Sequence, residues 1–264
     1  MFKHPIPLSA ETHRDLRFSP EQPFDFAREL VFIPLAAAEL FKAARETVIV
    51  FPMQGGVPKA LVGFEAGCNV YIDDAGHWVG RYVPAHLRRY PFVLGEIPTT
   101  PEEREETGRR FGLQVDAGAS HLNKPDGIRL FDGTGQPTDI LKKIRQILMG
   151  LQHDFERTQA IVNQLDTFDL LEERQLKINP DKEESKIVTG FRLVDQKALA
   201  ELPADRLVLL RKTGALDMVY AHIMSLTNLE DGWLAQQAGK GPVPDVPDIE
   251  KLFGESGSDP IQFS

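Results

Sequence analysis

One long apolar stripe constrains the fold of this chain more than any other feature. Between residues 140 and 165, apolar side chains recur at intervals of three and four, the spacing of one face of an α-helix. Thr138 precedes the stripe as a candidate N-cap. Because the stripe is short and not strictly heptad, it predicts a helix that packs on a core rather than a coiled coil. Its apolar members are Ile140, Leu141, Ile144, Ile147, Leu148, Leu151, Phe155, Val162 and Leu165.

Short runs of β-branched and aromatic residues precede this helix, and glycine or aspartate turns separate them. Such runs are typical of an antiparallel meander. Residues 1–34 form a lead-in interrupted by prolines, and residues 35–46 have the composition of a short helix. The charged residues 96–110 predict an exposed loop or a short helix. The strand candidates are 47–53, 60–64, 69–72, 78–83, 92–94, 113–115 and 128–131.

The chain after the long helix predicts a β-hairpin and then more helices. The hairpin joins residues 175–178 to 186–194. Asp195 and Asp205 are candidate caps for two short helices, and Gly214 is a natural end for the second. A final amphipathic helix is predicted at 216–226.

Strands and helices do not alternate regularly, so the fold class that we expect is α+β. We predict a single domain over residues 1–239, with a bent antiparallel sheet, a long central helix and a C-terminal helical segment. A half-open barrel is the alternative for the sheet. Residues 240–264 are rich in Gly, Pro and Asp, which predicts a flexible tail.

Charge and composition argue against several classes of partner. A formal net charge of −9 argues against a nucleic-acid-binding protein, which needs clustered positive charge. The single cysteine, Cys68, cannot form an internal disulfide. No apolar run approaches the roughly 18 residues of a membrane span, and the first residues lack the apolar core of a secretory signal. We therefore expect a cytoplasmic location, with non-classical export left open.

Common catalytic signatures are absent from the sequence. It contains no phosphate-binding Gly-rich loop ending in Gly-Lys-Ser/Thr, no dinucleotide fingerprint, no His-Glu-x-x-His and no Gly-x-Ser-x-Gly. The seven histidines are scattered, without a close pair at metal-ligand spacing. We therefore assign no catalytic residue, no metal site and no cofactor.

Residues 78–95, WVGRYVPAHLRRYPFVLG, combine aromatic, cationic and rigid side chains more densely than any other stretch. Proline opens a helical turn at residue 84, and Pro91 closes it. Arginines beside aromatic rings can stack on them and can bind a carboxylate or phosphate through two hydrogen bonds. The alternative is that Arg88 and Arg89 pair with the surplus of acidic residues while the tyrosines belong to the core. The candidate binding residues are Arg81, Tyr82, Arg88, Arg89 and Tyr90.

The run RYVPAHLRRYPFVLG resembles the signature of the SapC family of bacterial proteins. The resemblance continues in IPLAAAELFKAARETVIVF, RLFDGTGQPTDIL, FERTQAIVNQLDTFDLL, GFRLVDQKALAELP and TGALDMVYAHIMSLTNL. It covers residues 5–230 in order, whereas residues 96–110 and the Gly/Pro/Asp tail depart from it. The family has no established biochemical activity, so the resemblance brings no catalytic residues to this chain.

The resemblance implies a link to the bacterial cell surface. The family is named after a component associated with a surface layer, and its members are often encoded beside outer-membrane receptors. We therefore expect a non-enzymatic binding or accessory protein whose Arg/Tyr stretch binds a protein partner or a small anion. The alternatives are an enzyme acting on a peptide or modified amino acid and a surface-layer or export component. An enzyme would need a deep pocket with a histidine or carboxylate beside Arg81 or Tyr82.

Overall fold

A computed structural model describes residues 1–21, 23–98, 100, 109–123, 125–178 and 186–237. The predicted tail at 240–264, the hairpin loop and most of the charged segment 96–110 lie outside these residues. Within them the chain is α+β, as predicted, with one long central helix followed by a series of shorter helices. No helix in this part of the chain combines the length and apolar character needed to cross a membrane.

The strands of the described residues pair antiparallel and form three sheets rather than one bent sheet. A three-stranded sheet has the order β1-β7-β6, a five-stranded sheet has the order β3-β5-β4-β10-β9, and β2 pairs with β8. The strands are β1 (Pro5–Pro7), β2 (Arg17–Phe18), β3 (Phe32–Pro34), β4 (Val48–Pro52), β5 (Lys59–Leu61), β6 (Phe92–Glu96), β7 (Phe111–Asp116), β8 (Ile128–Arg129), β9 (Leu171–Ile178) and β10 (Lys186–Val194).

The helices of the described residues differ greatly in length, and one is much longer than the others. The helix predicted at 35–46 is divided into a 3₁₀ turn at Ala37–Glu39 and a single α-helical turn. The α-helices are α1 (Ala10–His13), α2 (Leu40–Ala43), α3 (Ala85–Arg88), α4 (Asp139–Thr167), α5 (Gln196–Ala200), α6 (Ala204–Thr213), α7 (Ala215–Ser225), α8 (Asn228–Asp231) and α9 (Trp233–Gln237).

The predicted helix ends are confirmed in part. Asp195 caps α5, since its side chain accepts hydrogen bonds from two N–H groups of the first turn. Gly214 ends α6 in the left-handed conformation, with φ of +82°, which glycine adopts without steric cost. Asp205, however, lies inside the first turn of α6, and Pro203 occupies the cap position. Thr138 occupies the cap position of α4, but its side chain makes no capping hydrogen bond. Its hydroxyl donates instead to the carbonyls of Arg129, in β8, and of Leu130.

The two strands predicted at 69–72 and 78–83 are reduced to one bridge between Ile72 and Trp78. In the residues that follow this bridge, the backbone forms hydrogen bonds with side chains rather than with a neighbouring strand. The Glu46 carboxylate accepts the N–H groups of Arg81 and Tyr82, and the Trp78 indole donates to the carbonyl of Tyr82. The periodic pattern of apolar residues is present here, but the backbone groups needed for a ladder are already occupied.

The long helix α4 packs against both larger sheets. Its first half contributes Leu141 and Leu148 to the core of the three-stranded sheet. Its second half contributes Ile161 and Leu165 to a second core on one face of the five-stranded sheet. Strand β4 is buried on both faces, because its alternate residues belong to two different apolar clusters. The helix therefore holds the two sheets together.

A buried histidine extends the pairing of β4 with β10. The ladder between these strands ends at Phe51 and Arg192, and its continuation would pair Ile49 with Val194. The imidazole of His222 on α7 lies between those two residues instead. Its Nδ1 donates to the carbonyl of Ile49 at 2.7 Å, and its Nε2 accepts the N–H of Val194 at 3.1 Å. The hydrogen bond that Nε2 accepts requires a neutral ring. Burial lowers the pKa of His222 from 6.5 to about 4 although the hydrogen bond to the Ile49 carbonyl opposes that shift.

Protonation of His222 should therefore destabilise the protein in acid. The folded-state pKa is depressed, so the unfolded chain takes up a proton first, and stability present above pH 6.5 is lost as the pH falls towards 4. His222 alone contributes up to about 3 kcal/mol to this loss. In urea denaturation at a series of pH values, His222→Gln should show a smaller dependence of the free energy of unfolding on pH than the wild type.

The matched control is His153→Gln, which removes an exposed imidazole from α4. This variant should keep the wild-type pH dependence. Equal pH dependence in wild type and His222→Gln would contradict the assigned role of His222.

Candidate functional site

The segment 78–95 contains all five candidate residues, and three carboxylates hold it in place. Glu46 binds its first part through hydrogen bonds of 2.7 Å from the N–H groups of Arg81 and Tyr82. Gly80 lies tightly between these groups, because an added Cβ would come within 2.7 Å of the Trp78 indole nitrogen. The backbone of this part is therefore fixed by side-chain contacts that leave room only for glycine.

Glu39 holds the middle of the segment. This carboxylate is 4% exposed and accepts hydrogen bonds from the Tyr82 hydroxyl at 2.7 Å and the Ala85 N–H at 2.9 Å. Its other oxygen accepts the N–H of Ala36 at 2.8 Å. Burial and the Glu39 carboxylate raise the pKa of Tyr82 to about 12. The Tyr82 hydroxyl is thus a donor to the protein itself at the start of α3.

Asp116 at the end of β7 holds the last part of the segment. It is 1% exposed and accepts hydrogen bonds from the N–H groups of Lys3 and His4 and from the Tyr90 hydroxyl. Burial raises the pKa of Asp116, but these donors outweigh burial and hold the pKa below its usual value. The Tyr90 ring stacks on Phe26 with centroids 3.9 Å apart. The structure therefore places Tyr90 in the core.

The three arginines of the segment point in different directions. Arg81 and Arg88 are exposed, whereas Arg89 is half-buried. Arg88 donates to the carbonyl of Val83 at 3.0 Å, and its guanidinium carbon lies 5.7 Å from the centroid of the Tyr82 ring. In the part of the chain that the structure describes, none of the three forms an ion pair with a carboxylate. The predicted alternative, pairing of Arg88 and Arg89 with acidic residues, is not observed there.

Arg89 faces an open cleft of about 590 Å³. Its guanidinium lies over the Phe2 ring, with 5.2 Å between the guanidinium carbon and the ring centroid. Its Nε is buried and has no hydrogen-bond partner among the described residues. Burial lowers the pKa of Arg89 to about 10, so it is cationic at neutral pH. The cleft is lined by Pro34, Gly56, Val57, His86, Arg89, Val93, Leu94, Gln152, Phe155, Glu156 and Gln159.

His86 lies beside Arg89 in the same cleft. Its ring contacts Phe2 and Phe155 edge to face, with centroids 6.4 Å apart in both cases. Burial, and then the charge of Arg89, lower the pKa of His86 to about 3, so the ring is neutral near pH 7. Its Nδ1 is buried without a partner among the described residues. Two adjacent residues of the cleft wall therefore each carry a buried polar atom without a hydrogen-bond partner among the described residues.

The opposite wall of the cleft is one face of α4. Gln152, Phe155, Glu156 and Gln159 are spaced three or four residues apart, so they share that face. Glu156 is already engaged, since it accepts a hydrogen bond from the Gln152 amide at 2.9 Å and lies 3.8 Å from a nitrogen of Arg109. The acidic side chain of the cleft therefore does not neutralise Arg89.

Of the candidates from the sequence, only Arg89 lines this cleft. Sequence reasoning missed His86, although it stands within the same motif, and it assigned Phe155 to the core. Gln152 and Gln159 could not be identified as cleft residues from their helical spacing, because nothing in the sequence places α4 beside α3. Tyr82 does contact a carboxylate, as the enzyme alternative requires, but neither Tyr82 nor Arg81 lines the cleft. Among the described residues, no group of three or more His, Cys, Asp or Glu side chains could hold a metal ion.

Comparison with known protein families gives one match, to the model described as SapC, over residues 8–231. The match confirms the resemblance found in the sequence. It includes the whole segment 78–95 and the α4 wall of the cleft. No curated protein and no solved structure matched the chain.

Replacing Asp116 by asparagine should loosen the support of this site. The asparagine amide has one acceptor oxygen where the carboxylate has two. Its NH₂ group would face N–H and O–H donors, from which it cannot accept a hydrogen bond. We expect the free energy of unfolding to fall by about 2 kcal/mol, since hydrogen bonds to charged groups contribute roughly 1.5–3 kcal/mol. Urea denaturation measures the change.

The control for this substitution is Asp15→Asn, because the Asp15 side chain is 86% exposed and forms only a long ion pair. It should change stability by less than about 0.5 kcal/mol. Equal effects of the two substitutions would show that Asp116 does not support the site.

Proposed function

The chain belongs to the SapC family, and we propose that it is a non-enzymatic binding protein whose cleft holds a small carboxylate at Arg89. The observation that carries this proposal is the half-buried guanidinium of Arg89 on the cleft wall, whose buried Nε has no hydrogen-bond partner among the described residues. A charge withdrawn from water is costly unless a counter-charge or hydrogen bonds compensate it. A ligand carboxylate would supply both.

The geometry of the cleft favours a planar anion. Arginine binds carboxylates through two parallel hydrogen bonds, and Arg89 presents its guanidinium at the wall of the cleft. The neutral His86 ring beside Arg89 does not compete with it for the negative charge. The Phe2 ring under the guanidinium restricts its orientation. The volume of about 590 Å³ falls within the range of roughly 300–1,000 Å³ that is usual for small-molecule sites.

The titratable groups of the cleft support binding rather than acid–base catalysis. A general base works best when its pKa lies near the operating pH, whereas the pKa of His86 is about 3. The Glu156 carboxylate is engaged by Gln152 and Arg109. His86 is therefore poorly suited to exchange protons with a ligand near pH 7.

The wider biological role is also part of the proposal. The resemblance to SapC proteins supports an accessory role beside cell-surface or outer-membrane uptake proteins, with a protein partner or an anionic ligand. The expected cytoplasmic location, and the alternative of a surface-layer or export component, stay predictions. Detection of the protein outside unlysed cells would favour that alternative.

Substitution of Arg89 by glutamine tests the proposed site. Isothermal titration of the wild type with benzoate and with acetate should show saturable binding of at least one of them. Arg89→Gln should weaken that binding by about tenfold or more, because it removes a charge-assisted hydrogen bond worth roughly 1.5–3 kcal/mol. Its melting temperature should change little, since the half-buried guanidinium forms no ion pair with a carboxylate among the described residues.

The control is Arg88→Gln, which removes the adjacent arginine outside the cleft. It should bind the same carboxylate as the wild type does. Absence of carboxylate binding by the wild type, or equal weakening in the two variants, would contradict the proposed function.

A further inference from the structure

The cleft runs along an open edge of the three-stranded sheet. Among the described residues, strand β6 pairs with β7 alone and lies at the end of the order β1-β7-β6. Successive side chains of a strand point to opposite faces of the sheet, yet the cleft is lined by both Val93 and Leu94. A cavity that touches both faces must pass along the edge between them.

Leu94 directs its backbone donor and acceptor towards this edge. It stands opposite Leu113 in the β6–β7 register, and the carbonyl of Leu113 accepts the N–H of Leu8 on the other side of β7. The N–H of Ile97 donates to the carbonyl of Arg110, and the N–H of Asp116 donates to the carbonyl of Pro91. In and beside β6, the residues with odd numbers therefore direct their backbone groups towards β7. Because hydrogen-bonded pairs alternate along an antiparallel ladder, the N–H and C=O of Leu94 face the cleft.

We propose that the cleft binds the C-terminal end of an extended polypeptide as a fourth strand, antiparallel to β6, with its terminal carboxylate on Arg89. This inference rests on the proposed function and names its ligand class. Addition of a peptide strand to a sheet edge is a recurrent mode of recognition, in which main-chain hydrogen bonds give affinity. Leu94 supplies those hydrogen bonds, and Arg89 supplies the site for the carboxylate.

Charge fixes the direction of the added strand. Arg89 precedes the first residue of β6 by three positions. An antiparallel strand ends beside the start of β6, so its negatively charged C-terminus meets the guanidinium. A parallel strand would bring its ammonium group to the same cation, and the two charges would repel each other.

The other end of the cleft limits the length of the strand. Arg109 joins the end of β6 to α4, with 2.6 Å to a carboxylate oxygen of Glu96 and 3.8 Å to one of Glu156. The bound segment therefore extends no farther than the five residues of β6. Phe155 and Val57 line the cleft beside Arg89 and favour an apolar side chain on the last residue of the peptide.

Fluorescence anisotropy with fluorescein-Gly-Ser-Thr-Val-Phe, carrying a free carboxylate, tests the inference on the full chain. The same peptide with a C-terminal amide should bind at least about tenfold more weakly, because the charge-assisted hydrogen bonds to Arg89 are lost. Arg89→Gln should weaken the free acid to a similar extent, and Arg88→Gln should not. Equal affinity of acid and amide, or no binding of the acid, would overturn the inference.

Strand addition is tested separately from the carboxylate. Leu94→Pro removes an N–H that faces the edge and not β7, a substitution that an edge strand tolerates. It should bind the peptide at least about tenfold more weakly than Leu94→Ala, which keeps the N–H but loses the side chain. Equal binding by these two variants would overturn strand addition. Melting temperatures establish that both are folded.

Modified peptides give the same test without changing the protein. Only alternate N–H groups of the added strand face β6. Of two peptides that are N-methylated at adjacent residues, the one whose methyl group replaces an N–H facing β6 should not bind, and the other should bind. The inference fails if neither modification, or both, abolish binding.

Benzoate binding to the wild type separates the inference from the proposed function. If benzoate binds and the peptide does not, only the inference fails. If benzoate, acetate and the peptide all fail to bind, the proposed function fails as well.

Discussion

Three carboxylates that accept hydrogen bonds from uncharged donors determine the form of the segment 78–95. Glu46 and Glu39 bind backbone N–H groups and the Tyr82 hydroxyl at its first half, and Asp116 binds the Tyr90 hydroxyl at its second. Hydrogen bonds to charged groups are among the strongest in proteins, so the segment is held firmly without its arginines. The guanidinium of Arg89 consequently meets the cleft without an acidic partner among the described residues.

The same arrangement explains why the site lies where the two larger sheets approach each other. Helix α4 joins the cores of both sheets, and between them its exposed face lies opposite β6 and α3. The cleft is therefore formed by elements that are fixed elsewhere by apolar packing, which is how a binding site is kept in its geometry without ligand. A net charge of −9 repels anions at long range, so selectivity for a carboxylate has to arise from contacts inside the cleft.

Periodicity in the sequence predicted the elements that depend on local pattern, and it failed where long-range contacts decide. The helix α4 and the β9–β10 hairpin follow from spacing and turn residues alone. The division into three sheets does not, because β6 and β7 pair across the charged segment and β1 joins them from the far end of the chain. The strand expected at 78–83 is lost since Glu46, more than thirty residues earlier, binds its backbone. Arg88 and Arg89 are adjacent residues of the same type, so the sequence does not distinguish them. The turn of α3 directs Arg88 to solvent and Arg89 to the cleft.

The central claim is that Arg89 is a free cationic donor that binds a carboxylate. The most direct measurement follows the Nε–H resonances of the arginines by ¹⁵N NMR during titration with benzoate, with the Arg89 signal assigned from its loss in Arg89→Gln. The account predicts a saturable shift of the Arg89 resonance while those of Arg81 and Arg88 stay in place. A stationary Arg89 resonance, or the same shift for all three arginines, would contradict it.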